Sequence, residues 1–164
     1  MERPVRIRVD NRLLHGQVVQ FWIPFLGVQR LLVADDEVAA NPAMLAVYRL
    51  AAPKNVEVTV TRVASLCAQL DGSPAASTLV LVSDVSDAAR AQEHGYRFDE
   101  LMIGNVHATP ERRRITDAVY LSADEERTLL EMTRRGVTVG IQTFPSDALR
   151  LGEDVAGGPR WSKH

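Results

Sequence analysis

The sequence holds a single cysteine, Cys67, and only two lysines, Lys54 and Lys163, among its 164 residues. One cysteine excludes an internal disulfide, and its setting in the apolar stretch "ASLCAQL" reads as a buried small hydrophobe of a reducing compartment. The near absence of lysine among nineteen basic residues removes the chemistries that need a positioned amine, Schiff-base and P-loop mechanisms among them. Glycine-rich phosphate loops are missing as well: neither G-x-G-x-x-G nor G-x-x-x-x-G-K-[ST] occurs, nor does the G-x-S-x-G elbow of hydrolases. No run approaches the ~20 apolar residues that span a bilayer, and the start "MERPVRIRVD" lacks the apolar core of a signal peptide. A cytoplasmic protein is expected. The net charge of -2 carries no basic excess, so no nucleic-acid partner is expected either.

What the sequence does hold is regular alternation. The short segments 5–9, 30–34, 56–60, 77–82, 98–104, 114–121 and 137–144 are rich in Val, Ile and Leu and read as strands. Segments of helical period lie between them. In "GQVVQFWIPFL" the residues Val18, Val19, Trp22, Ile23 and Leu26 share a stripe, with Pro24 forcing a kink or an end nearby. Asn41 and Pro42 begin a helix as N-cap and first residue, Gly95 closes another, and Ser122-x-x-Glu125 forms a capping box for a helix ending at Gly136. This alternation predicts an α/β protein with an open, mainly parallel sheet of about seven strands and helices on both faces. The loop "NVHATPERR" is too short for a crossover helix, so a hairpin or one antiparallel strand is expected in the C-terminal half. Residues 1–151 read as one domain and 152–164, "GEDVAGGPRWSKH", as a loose tail.

In open α/β sheets ligands bind beyond the carboxyl ends of the strands, so chemistry is sought just after each strand. That rule collects Asp10, Asn11, Arg12 and His15 after the first strand, Asp35, Asp36 and Glu37 after the second, Ser83 and Asp84 after the fourth, and Gly104, Asn105 and His107 after the fifth. The stretch "RVDNRLLHGQVVQFW" stands out, because His15 precedes Gly16 and Gln17 where a helix begins and free backbone N–H groups favour an anion. The dipole contribution there is about 0.3–1 kcal/mol, too little alone to hold a phosphoryl group. Arg12 adds a charge-assisted contact of greater strength. The set suits a histidine that carries phosphate, with neutral imidazole as nucleophile, Gly16 admitting the backbone and Asp10 orienting the ring or Arg12. Spacing alone also accommodates an ordinary polar loop residue and ordinary Asp-Asn turn chemistry.

The same stretch resembles the "RIDDRLIHGQV-W" signature of the mannose/sorbose-family enzyme IIB subunit of the bacterial phosphoenolpyruvate-dependent sugar phosphotransferase system. The resemblance continues through "LLVADDEVAANPAMLAVYRLAAPKNVEVTV", "LMIGNVHATPERRRITDAVYLSADE" and "RGVTVGIQTFPSD" and covers residues 5–147. It implies that His15 accepts a phosphoryl group from a phosphohistidine of a IIA protein or domain, on the ring nitrogen nearer the backbone. From there the group passes to a sugar delivered by the membrane subunits IIC and IID, which places the protein in the cytoplasm or peripherally at the inner membrane face. Arg12 and Asp10 match the family's Arg and acidic position, with Gly16 and Gln17 completing the phosphate-binding set; Asn11 and Leu14 depart from the common Asp and Ile. Family analogy is compatible with a homodimer.

Transfer between two imidazoles needs in-line positioning and charge neutralisation, so no cofactor is expected. Nor is a metal: His15, His94, His107 and His164 lack ligand spacing among themselves, and "VADDE" reads more simply as helix-capping or solvated acids. Asp35, Asp36 and Asn105 are secondary candidates, the first two for holding Arg12 or forming a partner surface, the last for standing beside His15. Arg8 reads as pairing on the sheet face, and "ERRR" (111–114) as a solvated face. A response-regulator receiver would share the fold and paired acids, but it needs a lysine that this chain does not supply after its last core strand. A regulatory protein that signals phosphorylation state would use His15 identically and stays open.

Overall fold

The computed structural model describes residues 5–70 and 77–151. Strands β1 (Arg6–Asp10), β2 (Arg30–Ala34), β3 (Glu57–Thr61), β4 (Thr78–Val82), β5 (Glu100–Asn105), β8 (Thr138–Ile141) and β9 (Arg150–Leu151) form one sheet in the order β3-β2-β4-β1-β5-β8-β9. All neighbours are parallel except β8 and β9, whose pairing is antiparallel. Parallel strands must bury both faces, and β2 and β4 accordingly read as nearly continuous apolar runs, RLLVA and TLVLV.

One face packs Leu31, Val33, Leu79 and Leu81 against Val18, Trp22, Ile23 and Tyr48. These come from the segment after β1 and from α3 (Pro42–Ala51). The other packs Ile7, Val9, Leu32, Val80 and Val82 against Leu66 of α4 (Leu66–Leu70), Val85, Ala88 and Ala91 of α5 (Val85–Glu93), and Leu129 and Met132 of α6 (Ala123–Arg134). The cap signals act as their chemistry requires. The Asn41 side chain accepts from the Ala43 N–H, Ser122 and Glu125 close a reciprocal capping box, and Gly95 and Gly136 take positive φ just past α5 and α6.

Three expectations are corrected. Residues 114–121 are not a strand of the main sheet: β6 (Arg113–Arg114) and β7 (Tyr120–Leu121) pair with each other as a separate antiparallel hairpin. A single parallel bridge, Val106 to Val119, links this hairpin to the end of β5. The last core strand ends at Ile141 rather than 144, because the carbonyls of Gln142 and Thr143 turn to serve a buried arginine. Cys67 lies half-exposed, its thiol 3.7 Å from the Gly95 carbonyl, rather than in the core. The expected tail, 152–164, lies outside the described residues.

From β1 the chain runs toward the β2 edge, and from β5 toward the β8 edge. The two loops diverge at the carboxyl ends of adjacent strands, which is where open α/β sheets leave a crevice.

Candidate functional site

Alternation along β1 sends Arg8 and Asp10 to the same face of the sheet, opposite Ile7 and Val9. Both charged residues are fully buried. The register of β1 on β5 slips after Val9, so that Val9 pairs with Ile103 but Asp10 with Asn105, leaving Gly104 as the extra residue of a bulge. The bulge brings the Asn105 carboxamide across the strand end, where its Nδ2 donates to Asp10 Oδ2 at 2.8 Å.

Beyond Asp10 the chain turns sharply, the Leu13 N–H donating to the Asp10 carbonyl at 2.9 Å. Leu13 takes φ 56°, a left-handed conformation that bulky residues rarely adopt, while its side chain stays buried. The turn aims the Arg12 N–H at Asp10 Oδ1 (2.9 Å) and returns His15 to the same carboxylate, Nε2 lying 2.7 Å from Asp10 Oδ2. A carboxylate only accepts, so this contact places the ring proton on Nε2 and leaves a lone pair on Nδ1. Burial by itself raises the Asp10 pKa, but the hydrogen bonds from His15, the Arg12 backbone and Asn105 outweigh it and hold the carboxyl below its ordinary value.

Nδ1 faces the helix start, with the Gln17 N–H directed at it from 3.4 Å. No atom lies within 4 Å of the position a Cβ would take on Gly16, so the approach to these amides is open. The half-exposed Arg12 side chain reaches over the same turn, Nη2 donating to Gln17 Oε1 at 2.9 Å, and Gln17 Oε1 also accepts from Asn105 Nδ2 at 3.3 Å. Pro24 has no N–H to give the turn before it. That turn, Val18–Trp22, is widened to a π-helical register with the Ile23 N–H on the Val18 carbonyl, and α1 (Ile23–Leu26) completes the helix. An imidazole whose Nδ1 faces a backbone donor, with the Arg12 guanidinium over the same turn, can act as a nucleophile with charge neutralisation beside it.

Arg8 lies beneath this layer. Its guanidinium sits 4.3 Å from the centroid of the Trp22 ring and donates to the Gln142 and Thr143 carbonyls at 3.1 and 3.0 Å. Burial pushes its pKa down to about 10, opposed by the nearby charge of Asp10 and reinforced by Arg12. Among the described residues no carboxylate comes within ion-pair distance of it, so Arg8 pairs with backbone carbonyls and an aromatic face instead. Gly104 packs against Arg8: a Cβ there would overlap the Arg8 guanidinium.

Asp35 and Asp36 are not holding Arg12. Asp35 caps α2 (Asp36–Ala39) by accepting from the Val38 N–H, and Asp36 accepts from the Val63 N–H and from Arg90. The three arginines of "ERRR" are each engaged within the chain, Arg112 with Glu125 and Asp84, Arg113 with Glu126 and Arg114 with Asp117. His107 is exposed, and its backbone N–H, not its ring, enters the network, donating to Asn11 Oδ1 at 2.6 Å. Sequence reasoning missed Leu13, whose backbone conformation nothing in its residue type announces. It also missed the carbonyls of Gln142 and Thr143, which have no side-chain signature.

A family model described as PTS system sorbose subfamily IIB component matches residues 5–155. The chain belongs to this family. The PTS system fructose-specific EIIB component of Bacillus subtilis (strain 168) is 26% identical over 147 residues, covering 88% of this chain and 90% of the relative. The sorbose-specific EIIB component of Klebsiella pneumoniae is 26% identical over 142 residues, 85% and 87% of the two chains. Among solved structures, manxB from Thermoanaerobacter tengcongensis superposes with a TM-score of 0.82 at 29% identity, over 93% of this chain and 96% of its own. The IIBSor domain of the sorbose permease from Klebsiella pneumoniae gives 0.81 at 24% identity, over 92% and 96%, which shares the fold.

Proposed function

We propose that this IIB component carries a phosphoryl group on His15 Nδ1, taking it from the phosphohistidine of a IIA protein or domain and passing it to a sugar at the membrane subunits IIC and IID. The single observation that carries the reading is the 2.7 Å contact between His15 Nε2 and the buried Asp10 carboxylate, which leaves Nδ1 as the nucleophile facing the Gln17 amide and Arg12. In the transfer, the Nδ1 lone pair forms the new N–P bond while the donor's P–N bond breaks and its electron pair returns to the donor imidazole. The product ring is a phosphoimidazolium that keeps its Nε2 proton and donates it to Asp10, and the negative carboxylate stabilises that charge. Arg12 leaves Gln17 to neutralise the equatorial oxygens. In delivery the sugar hydroxyl oxygen forms the O–P bond as the Nδ1–P bond breaks, the electron pair of that bond returning to His15 Nδ1 and the hydroxyl proton passing to solvent water.

PTS IIB components work with IIA and membrane partners, and one relative, the mannose-specific EIIAB component of Escherichia coli (strain K12), names IIA and IIB together. The relatives' sugar-specific names favour transfer to sugar over a purely regulatory protein. Among the described residues no helix is long and apolar enough to cross a membrane. We read residues 1–151 as the transferring domain.

Incubation with phosphorylated IIA followed by intact-mass measurement is expected to show one added phosphoryl group, acid-labile and alkali-stable, absent from His15→Ala. Arg12→Ala, at an exposed side chain, is expected to keep the fold and slow labelling about 10²-fold. Labelling that persists in His15→Ala would overturn the assignment.

A further inference from the structure

Asn11 is the one position of the motif "RVDNRLLHGQ" that departs in charge from the signature it resembles. Its side chain is also the point where three strand-end loops meet. The Asn11 Nδ2 donates to the Ser83 carbonyl (2.7 Å) and to Asp84 Oδ1 (3.1 Å) beyond β4, and its Oδ1 accepts from the His107 N–H (2.6 Å) beyond β5. Its own N–H donates to the Asn105 carbonyl at 3.0 Å. Arg112 closes the circuit, donating to the His107 carbonyl and to Asp84 Oδ1 at 3.0 and 3.2 Å, and is itself held by Glu125.

The neighbours fix which way the carboxamide points: two acceptors face its nitrogen and one N–H faces its oxygen. We propose that Asn11 is a positioning residue for phosphoryl transfer, clasping the His15 loop to the ends of β4 and β5 through donor contacts that an aspartate at this position cannot make. The proposal rests on His15 being the phosphoryl carrier. An aspartate would turn a carboxylate toward the Ser83 carbonyl and the Asp84 carboxylate, replacing two hydrogen bonds by two repulsions. Asp84, with Arg112 already on it, is thus matched to an asparagine at position 11.

The mechanical consequence follows from sequence adjacency. Asn11 lies between Asp10, which sets the His15 tautomer, and Arg12, which neutralises the transferring group. Releasing it loosens both, and misplacement on the order of 1 Å costs about 10²-fold in a positioned reaction. Asn11 touches neither the ring nor the phosphoryl group, so its effect passes through its neighbours.

The test uses the full chain with phosphoramidate as donor. The P–N bond of phosphoramidate breaks, ammonia leaves and the Nδ1–P bond forms, so no partner protein enters the measurement. Asn11→Asp is expected to slow His15 phosphorylation about tenfold. The double variant N11D/D84N returns an amide donor to the contact, and at least threefold of that loss is expected to be recovered, the Ser83 carbonyl still lacking its donor. A purely structural weakening would not be relieved by a second isosteric change. Wild-type rates in N11D, or a double variant no faster than N11D, overturn the proposal. If N11D does not fold, Asn11→Ala removes the clasp without adding charge; it is expected to be slowed similarly, and an unchanged rate overturns the proposal. A wild type that takes up no phosphoryl group from phosphoramidate or IIA sinks the His15 reading and this proposal together, an outcome distinct from a labelled wild type matched by N11D.

Discussion

Asp10 accepts from three donors at once, the His15 ring, the Asn105 carboxamide and the Arg12 backbone, in a place where water cannot reach it. Burial raises the pKa of such a group, yet the three donors prevail and its folded value lies below the ordinary 3.8. A carboxyl whose pKa is depressed by folding contributes stability that is fully present above its unfolded pKa and is lost as the pH falls through its folded pKa. The stability difference between the wild type and Asp10→Asn is therefore expected to be largest near neutrality and to shrink as the pH drops below about 3.8, measured by chemical denaturation across pH. A difference that grew on acidification would mean that the carboxylate is not the form these donors hold. His15, Arg12 and Asp10 were legible in the sequence as candidates, because they gather just after a strand, and the family resemblance gave them their proposed roles. The partners of Asn11 and the conformation of Leu13 were not legible, since the former lie 72 to 96 residues away in sequence and the latter is a backbone angle.

The element that shapes the site is a strand with a bulge in its neighbour. Without the slip after Val9, Gly104 rather than Asn105 would stand opposite Asp10, and the carboxylate would lose a donor. Gly104 is also where the Arg8 guanidinium needs room, which only a residue without a side chain leaves. Gly104→Ala forces that guanidinium off the Thr143 carbonyl or moves the strand. Overpacking of this kind costs about 1–3 kcal/mol, so a lowered denaturation midpoint is expected, together with slower phosphoryl uptake. A variant as stable as the wild type would show that the pocket around Arg8 gives way at no cost. The ends of β2 and β4 were legible from the apolar runs, whereas the bulge was not, because register depends on two strands about a hundred residues apart.

For the whole molecule, the sheet order β3-β2-β4-β1-β5-β8-β9 makes β1 central, with β4 and β5 on its two sides and an apolar layer on each face. The loop that carries His15 therefore leaves the central strand of the sheet. The β6–β7 hairpin stands outside that sheet and joins it through one bridge. Amide hydrogen exchange is expected to be slowest in β1, β2, β4 and β5, near the free energy of global unfolding, and markedly faster in β6 and β7. Equal protection of the hairpin would show that it unfolds only with the main sheet. The hairpin region was foreseen as an antiparallel element from the short loop before it. Its separation from the main sheet, and the use of residues 150–151 as the antiparallel edge, depended on which edge the chain reached last.

The sequence by itself determined the α/β alternation and the helix ends and singled out the candidate site residues, because periodicity, capping and motifs are local properties of the chain. Tertiary structure decided which ring nitrogen of His15 meets Asp10 and which faces the Gln17 amide, since that depends on Asp10 being buried within reach of Nε2. It also decided what Asp35, Asp36 and Arg112 do, because charged side chains take the partners that folding brings within hydrogen-bond distance. Arg8 shows the division most sharply: its place in β1 was readable, but its solvation by Trp22 and two carbonyls from the other end of the chain was not. A buried charge must be satisfied by groups from wherever the fold delivers them, and only the folded chain says where that is.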